Sequence, residues 1–116
     1  MKLLIVDGNT KMRSLLISIV KPYFDEIQEC ADGKEVLTRY AAVRPDWVLM
    51  DIEIKNIDGI TATKNIKEKY PEARIIIVTA VESTRLRSKA IQAGAIDYIL
   101  KENVFDLPKS FHIRST

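Results

Sequence analysis

The chain holds a single cysteine, Cys30, in 116 residues. That excludes an internal disulfide framework and fits a reducing compartment, where a lone thiol is by default a small buried hydrophobe. It holds a single histidine, His112, close to the end of the sequence, and no catalytic or metal role is expected of it. Only four glycines and four prolines are present, too few and too scattered for a flexible linker or a low-complexity segment. No charge of one sign dominates: 18 basic side chains face 16 acidic ones, a net charge of +2. So weak a balance gives no argument for binding nucleic acid or a membrane. Long hydrophobic runs are missing as well. Lys2 leads into a short apolar run that Asp7 breaks, which is neither a signal peptide nor a membrane span. A cytoplasmic protein with no membrane partner is the expectation. Apolar residues at 47% and charged residues at 29% fit a globular chain. The length suits one domain, residues 1–116.

What is there is a set of short apolar runs that end on polar residues. Trp47-Val48-Leu49-Met50 runs straight into Asp51. Four apolar residues without polar alternation predict a strand covered on both faces. Lys2 to Val6 repeats the pattern and ends on Asp7. Arg74 to Ala80 is a third such strand, rich in β-branched residues. Ile27 to Ala31 is less apolar and is predicted to lie near a sheet edge. Ile96 to Leu100 ends on Lys101. Between these runs lie helical patterns. Met12, Leu15, Leu16, Ile19 and Val20 form one stripe, while Lys11, Arg13, Ser14 and Ser18 face elsewhere. Val36, Leu37, Tyr40 and Ala41 mark a second helix. Ile60, Thr63, Ile66 and Tyr70 mark a third after Asp58-Gly59. Leu86, Ala90 and Ala93 line a fourth, with Gly94 as its left-handed cap. Val104, Leu107 and Phe111 have helical spacing, but Pro108 would break a helix interior. Either that helix begins late, with Pro108 in its first turn, or it is distorted.

Strand and helix alternate five times, which predicts right-handed crossovers and a parallel sheet with helices on both faces. The carboxyl ends of all strands then share one rim, where open α/β sheets bind ligands. Asp7, Asp51, Thr79 and Lys101 would gather there. Each has a plainer reading: a turn acid for Asp7 and Asp51, a β-branched strand residue for Thr79, a solvated lysine for Lys101. Together they suggest chemistry. Two neighbouring carboxylates repel and need a cation, and a hard oxygen-seeking ion such as Mg²⁺ would serve. With a lysine and a hydroxyl beside it, the rim could hold a phosphoryl group, toward which a carboxylate can act as nucleophile.

Four segments in this order resemble a response-regulator receiver domain of two-component signalling, the CheY-like family. They are Leu3-Leu4-Ile5-Val6-Asp7, then Val48-Leu49-Met50-Asp51 with Asp58-Gly59 downstream, then Ile77-Val78-Thr79-Ala80, then Ala93-Gly94-Ala95-Ile96-Asp97-Tyr98-Ile99-Leu100-Lys101. The resemblance implies a flavodoxin-like (βα)5 fold, a doubly wound parallel five-stranded sheet in the order 2-1-3-4-5. It implies that Asp51 accepts a phosphoryl group from a histidine kinase or phosphotransfer protein, with Asp7, Asp51 and the backbone carbonyl of Glu53 holding Mg²⁺. It implies that Thr79 bonds the phosphoryl oxygen, that Lys101 pairs with it, and that Tyr98 changes rotamer as Thr79 moves inward. The signal would reach the surface of the fourth helix, fifth strand and fifth helix, where Arg85, Arg87 and Lys89 form one solvated face or a docking surface. A turnover enzyme is not implied. The output would be a downstream protein or an output domain outside this sequence, transcription control included, with no direct nucleic acid binding by this chain. A monomer or a phosphorylation-dependent dimer is expected.

One departure matters. The family carries two adjacent acids after the first strand, and here the second position is Gly8. Mg²⁺ is therefore expected to bind weakly, with the Glu53 side chain as a partial substitute. The alternative function is a degenerate receiver that binds partners without phosphorylation. A third possibility, a flavin- or nucleotide-binding domain, is disfavoured because Asp7-Gly8-Asn9-Thr10 is short and acidic.

Overall fold

The computed structural model describes residues 1–115, with side chains described as far as Phe111. The side chain of His112, and with it the reading of that residue, lies outside the described residues. The strands are β1 (Lys2–Val6), β2 (Glu26–Cys30), β3 (Trp47–Met50), β4 (Ile75–Thr79) and β5 (Asp97–Leu100). The α-helices are α1 (Thr10–Val20), α2 (Val36–Val43), α3 (Gly59–Lys69), α4 (Thr84–Ala93) and α5 (Leu107–Ser115). The strands form one sheet in the order β2-β1-β3-β4-β5, every pairing parallel. The parallel pairing is what the alternation predicts, and the strand order is the flavodoxin-like one that the family resemblance implies.

The unbroken apolar strands are explained by two cores. Successive side chains of a strand point to opposite faces. Leu4, Val6, Val48, Met50, Ile75 and Ile77 pack with Val36, Tyr40, Ala62, Ile66 and Ala90 from α2, α3 and α4. Leu3, Ile5, Trp47, Leu49, Ile76 and Val78 pack on the other face with Leu16 and Val20 of α1 and Leu107 and Phe111 of α5. A polar residue at any of these central strand positions would be buried without a partner, so none occurs there. Trp47 closes the amino-terminal end of β3, with the Phe111 ring 5.3 Å from its own and the Arg74 guanidinium 4.6 Å above it.

β2 is an edge strand, one residue earlier than the apolarity suggests, because its register follows β1: Lys2 lies opposite Glu26 and Val6 opposite Cys30. The segment before α5 takes the first of the two predicted forms. A 3-10 turn covers Lys101–Asp106, α5 starts at Leu107, and Pro108 sits in its first turn, where the missing N–H costs no helical bond. Gly94 ends α4 with φ of 113° and donates its N–H to the carbonyls of Ala90 and Ile91, a conformation that suits glycine.

Candidate functional site

Topology brings the rim residues together. β1 and β3 are neighbours, and the Asp51 N–H continues their ladder onto the Val6 carbonyl at 2.9 Å. Asp7 and Asp51 therefore leave adjacent strand ends side by side. β4 lies next, and Thr79 pairs in register with Leu100 of β5. Lys101 follows directly, and its stem reaches back across β4. Its ammonium stands 3.0 Å from Asp7 Oδ2 and 3.1 Å from Asp51 Oδ2.

Both acids are nearly sealed from water, Asp7 at 2% exposure and Asp51 at 5%. Burial raises the Asp51 carboxyl above its ordinary value, the Asp7 charge adds to that, and Lys101 opposes it. Burial works against the Lys101 charge, but the two carboxylates outweigh it and hold the ammonium above its ordinary value. Asp7 Oδ1 accepts the Asn9 N–H at 2.8 Å, and Asn9 Oδ1 in turn caps α1 by accepting the Met12 N–H. Asp7 Oδ2 is buried, and its partner is the Lys101 ammonium, at ion-pair distance but outside hydrogen-bond geometry. Two buried carboxylates thus share one ammonium, which leaves the cluster one negative charge in excess. This donor set fits a hard cation. Gly8 is exposed, and a Cβ there would meet nothing nearer than the Ala31 carbonyl oxygen at 3.8 Å, so space exists beside the acids.

The Glu53 N–H reaches Asp51 Oδ1 at 3.4 Å, while the Glu53 side chain is exposed. Among the described residues no three His, Cys, Asp or Glu side chains gather closely enough to hold an ion. Thr79 is fully buried and its Oγ1 accepts the Val81 N–H at 3.2 Å. Tyr98 is buried too, and its hydroxyl donates to the Val81 carbonyl at 2.6 Å. One residue, Val81, therefore joins the two, through its N–H on one side and its carbonyl on the other.

Two features escaped the sequence reading. Arg13 stays off the buried stripe of α1, as its spacing predicts, but it is not simply solvated. Its Nη1 donates to the Asp7 carbonyl at 2.6 Å and its Nε to Glu29 at 2.9 Å, because the first turn of α1 starts at the rim and a long side chain can fold back. The run Arg85, Arg87, Lys89 is not one face. At 100° per residue, positions two apart diverge. Arg87 turns toward β5, its guanidinium 4.8 Å from the Tyr98 ring centroid and its Nη1 3.3 Å from the Tyr98 carbonyl.

A doubly wound sheet with its charged cluster at the carboxyl edge defines a flavodoxin-like α/β domain whose site lies at the strand ends. The chain belongs to the response regulator receiver domain family, whose profile matches residues 3–109. Chemotaxis protein CheY of Bacillus subtilis (strain 168) is 41% identical over 101 residues, covering 86% of this chain and 84% of that protein. A protein-glutamate methylesterase/protein-glutamine glutaminase of Geobacter metallireducens is 38% identical over 110 residues, which are 91% of this chain but 30% of that protein. The crystal structure of the CheX-CheY-BeF3-Mg²⁺ complex from Borrelia burgdorferi superposes with a TM-score of 0.86 at 29% identity, covering 96% of this chain and 88% of that one. Receiver domains are signalling modules that interact with histidine kinases and downstream effectors, and phosphorylation and Mg²⁺ binding are general features of the family. Among the described residues no helix is long and apolar enough to cross a membrane.

Proposed function

We propose that this chain is a phosphorylation-controlled switch in which Asp51 accepts a phosphoryl group from a histidine kinase or phosphotransfer protein. The observation that carries the reading is the Lys101 ammonium shared between Asp7 and Asp51 at 3.0 and 3.1 Å. An Asp51 oxygen attacks phosphorus, the bond to the donor breaks, and an acyl phosphate forms on Asp51. Lys101 then has a more highly charged partner at the same place and pairs with a phosphoryl oxygen. Thr79 supplies a hydroxyl on the neighbouring strand. If that hydroxyl turns to the phosphoryl group, it gives up the Val81 N–H, and the Val81 carbonyl that holds Tyr98 shifts with it. Asp7, Asp51 and the Glu53 carbonyl would hold Mg²⁺, with the Glu53 side chain as a further candidate; when bound, the ion neutralises charge between carboxylates and phosphoryl oxygens. Residues 1–116 act as one receiver unit in the cytoplasm, as a monomer or as a dimer that forms on phosphorylation.

Gly8 favours a second reading, a receiver that binds its partner without phosphorylation. Intact mass after incubation with Mg²⁺ and acetyl phosphate, beside an Asp51→Asn control, separates the two. One phosphoryl adduct that the control lacks supports the switch. No adduct on the folded protein supports phosphorylation-independent binding.

A further inference from the structure

The loop from Asp51 to Gly59 carries the groups on which the site depends. Turns within it are closed by the Ile54 N–H on the Ile52 carbonyl at 3.1 Å and the Ile57 N–H on the Lys55 carbonyl at 2.8 Å, while the contact nearest the site is long. The Glu53 N–H meets Asp51 at 3.4 Å, the outer limit of a hydrogen bond. The loop's closure at Gly59 and its contact with a neighbouring loop complete its fixing. At one end, the Gly59 N–H donates to the Ile52 carbonyl at 2.9 Å, and a Cβ on Gly59 would lie 1.9 Å from the Asp51 carbonyl oxygen. Within the loop, Asn56 stands in the left-handed region with φ of 68°. Its Nδ2 donates to both carboxylate oxygens of Asp32, at 2.9 and 2.8 Å. Around this pair the Gly33 N–H donates to the Lys55 carbonyl at 3.0 Å, Asp32 and Lys55 form an isolated parallel bridge, and a Cβ on Gly33 would lie 1.8 Å from the Ile57 carbonyl oxygen. Two loops from neighbouring crossovers are thus clasped together.

We propose that Asp32 and Asn56 are positioning residues for the Asp51 site. The amide–carboxylate clasp sets where the Glu53 peptide points, and hence how well the site receives a divalent cation. The cation part of this inference rests on the proposed role of Asp51, while the positioning of the Glu53 peptide does not. A purely structural role for Asp32 is visible too, since its Oδ1 accepts the Lys34 N–H at 2.9 Å and caps the turn before α2. The test must therefore keep that cap while breaking the clasp.

Asn56→Asp does this. It sets two carboxylates face to face, and aspartate tolerates positive φ nearly as well as asparagine. The double variant Asp32→Asn with Asn56→Asp swaps amide and carboxylate, restores the pair in reverse, and leaves an oxygen to cap Lys34. Amide hydrogen exchange on the metal-free protein should show Glu53 and Ile54 exchanging about tenfold faster in Asn56→Asp, the scale of one lost charge-assisted bond. Amides of β1 and β4 should be unchanged, and the double variant should recover. Titration with Mg²⁺ alone, followed by the amide shifts of Asp7 and Asp51, should give an apparent Kd weakened by about tenfold in Asn56→Asp and restored in the double variant. Unchanged exchange at Glu53 and Ile54, or acceleration that the swap does not repair, overturns the clasp. A Mg²⁺ affinity equal in all three proteins overturns its link to the site. Wild-type amides that ignore Mg²⁺ would instead overturn the metal reading of Asp7 and Asp51, with the exchange data still deciding the clasp.

Discussion

Replacing Lys101 by methionine keeps most of the stem and removes the only cation that, among the described residues, stands between Asp7 and Asp51. Asp7 and Asp51 are 2% and 5% exposed, so water cannot take the place of the ammonium. Removing one partner of a buried ion pair costs roughly 3–5 kcal/mol, most of it the penalty of the charge left behind. The protein can limit this loss by protonating Asp51, whose carboxyl burial already raises. A group whose folded pKa lies above its unfolded one gives full stability below the unfolded value and loses it as pH rises toward the folded value. Without Lys101 that window widens upward. The Lys101→Met penalty should therefore be smallest in acid, at and below the ordinary carboxylate range, and grow as pH rises above it. At neutral pH a loss of about 3 kcal/mol lowers Tm by roughly 10–15 °C for a domain of this length. Urea unfolding read by Trp47 fluorescence is the assay, because Trp47 is buried at the end of β3 far from Asp51. Added Mg²⁺ should return part of the stability to the variant. A variant within about 0.5 kcal/mol of wild type, or a penalty that does not grow as pH rises, would refute the reasoning.

Gly8→Asp should be accepted by the fold, since a Cβ there meets nothing within 3.8 Å; it should lower stability without metal by adding a third acid and tighten Mg²⁺ binding by about tenfold or more, as calorimetry can read. Asp58 caps α3 by accepting the N–H groups of Ile60 and Thr61 at 2.9 and 3.0 Å, so Asp58→Ala should cost about 1 kcal/mol. Burial pushes the Asp58 carboxyl up, but those hydrogen bonds prevail and its pKa is lowered; the cap's contribution is present above the ordinary carboxylate range and lost as pH falls through the depressed value, so the Asp58→Ala difference should vanish in acid melts. Gly59→Ala should cost about 1–3 kcal/mol from overpacking against the Asp51 carbonyl, and should slow labelling by acetyl phosphate in the fraction that remains folded.

The sequence was most legible where the local pattern and the tertiary pattern agree. β1, β3 and β4 are apolar on both faces, so runs such as Trp47 to Met50 and Ile75 to Thr79 announced them, and parallel strands placed Asp7, Asp51, Thr79 and Lys101 on one rim. β2 was displaced by one residue because pairing with Lys2 to Val6, not its own apolarity, sets its register. The Pro108 ambiguity ended with Val104 and Leu107, both buried against the α1 side of the sheet, which fix the 3-10 turn ahead of α5. Arg13 and the Asp32–Asn56 pair were not legible. Their partners lie across space, at a sequence separation of 24 for the pair, and no spacing rule reaches that far. The role of Arg87 was masked by reading alternate positions as one helical face.

Cys30 ends β2 under the junction of the two clasped loops. Its carbonyl accepts the Asp7 N–H at 3.0 Å, and its buried thiol donates to the Asp32 carbonyl at 3.3 Å. Burial also pushes the thiol's pKa up, so little of it is the reactive thiolate at neutral pH. The lone sulfur is thus a built-in clock. Alkylation can proceed only when the ground around Asp32 comes apart, and its half-time converts directly into a local opening equilibrium. A cation or phosphoryl group that tightens the rim should slow that clock without the reagent ever touching the site.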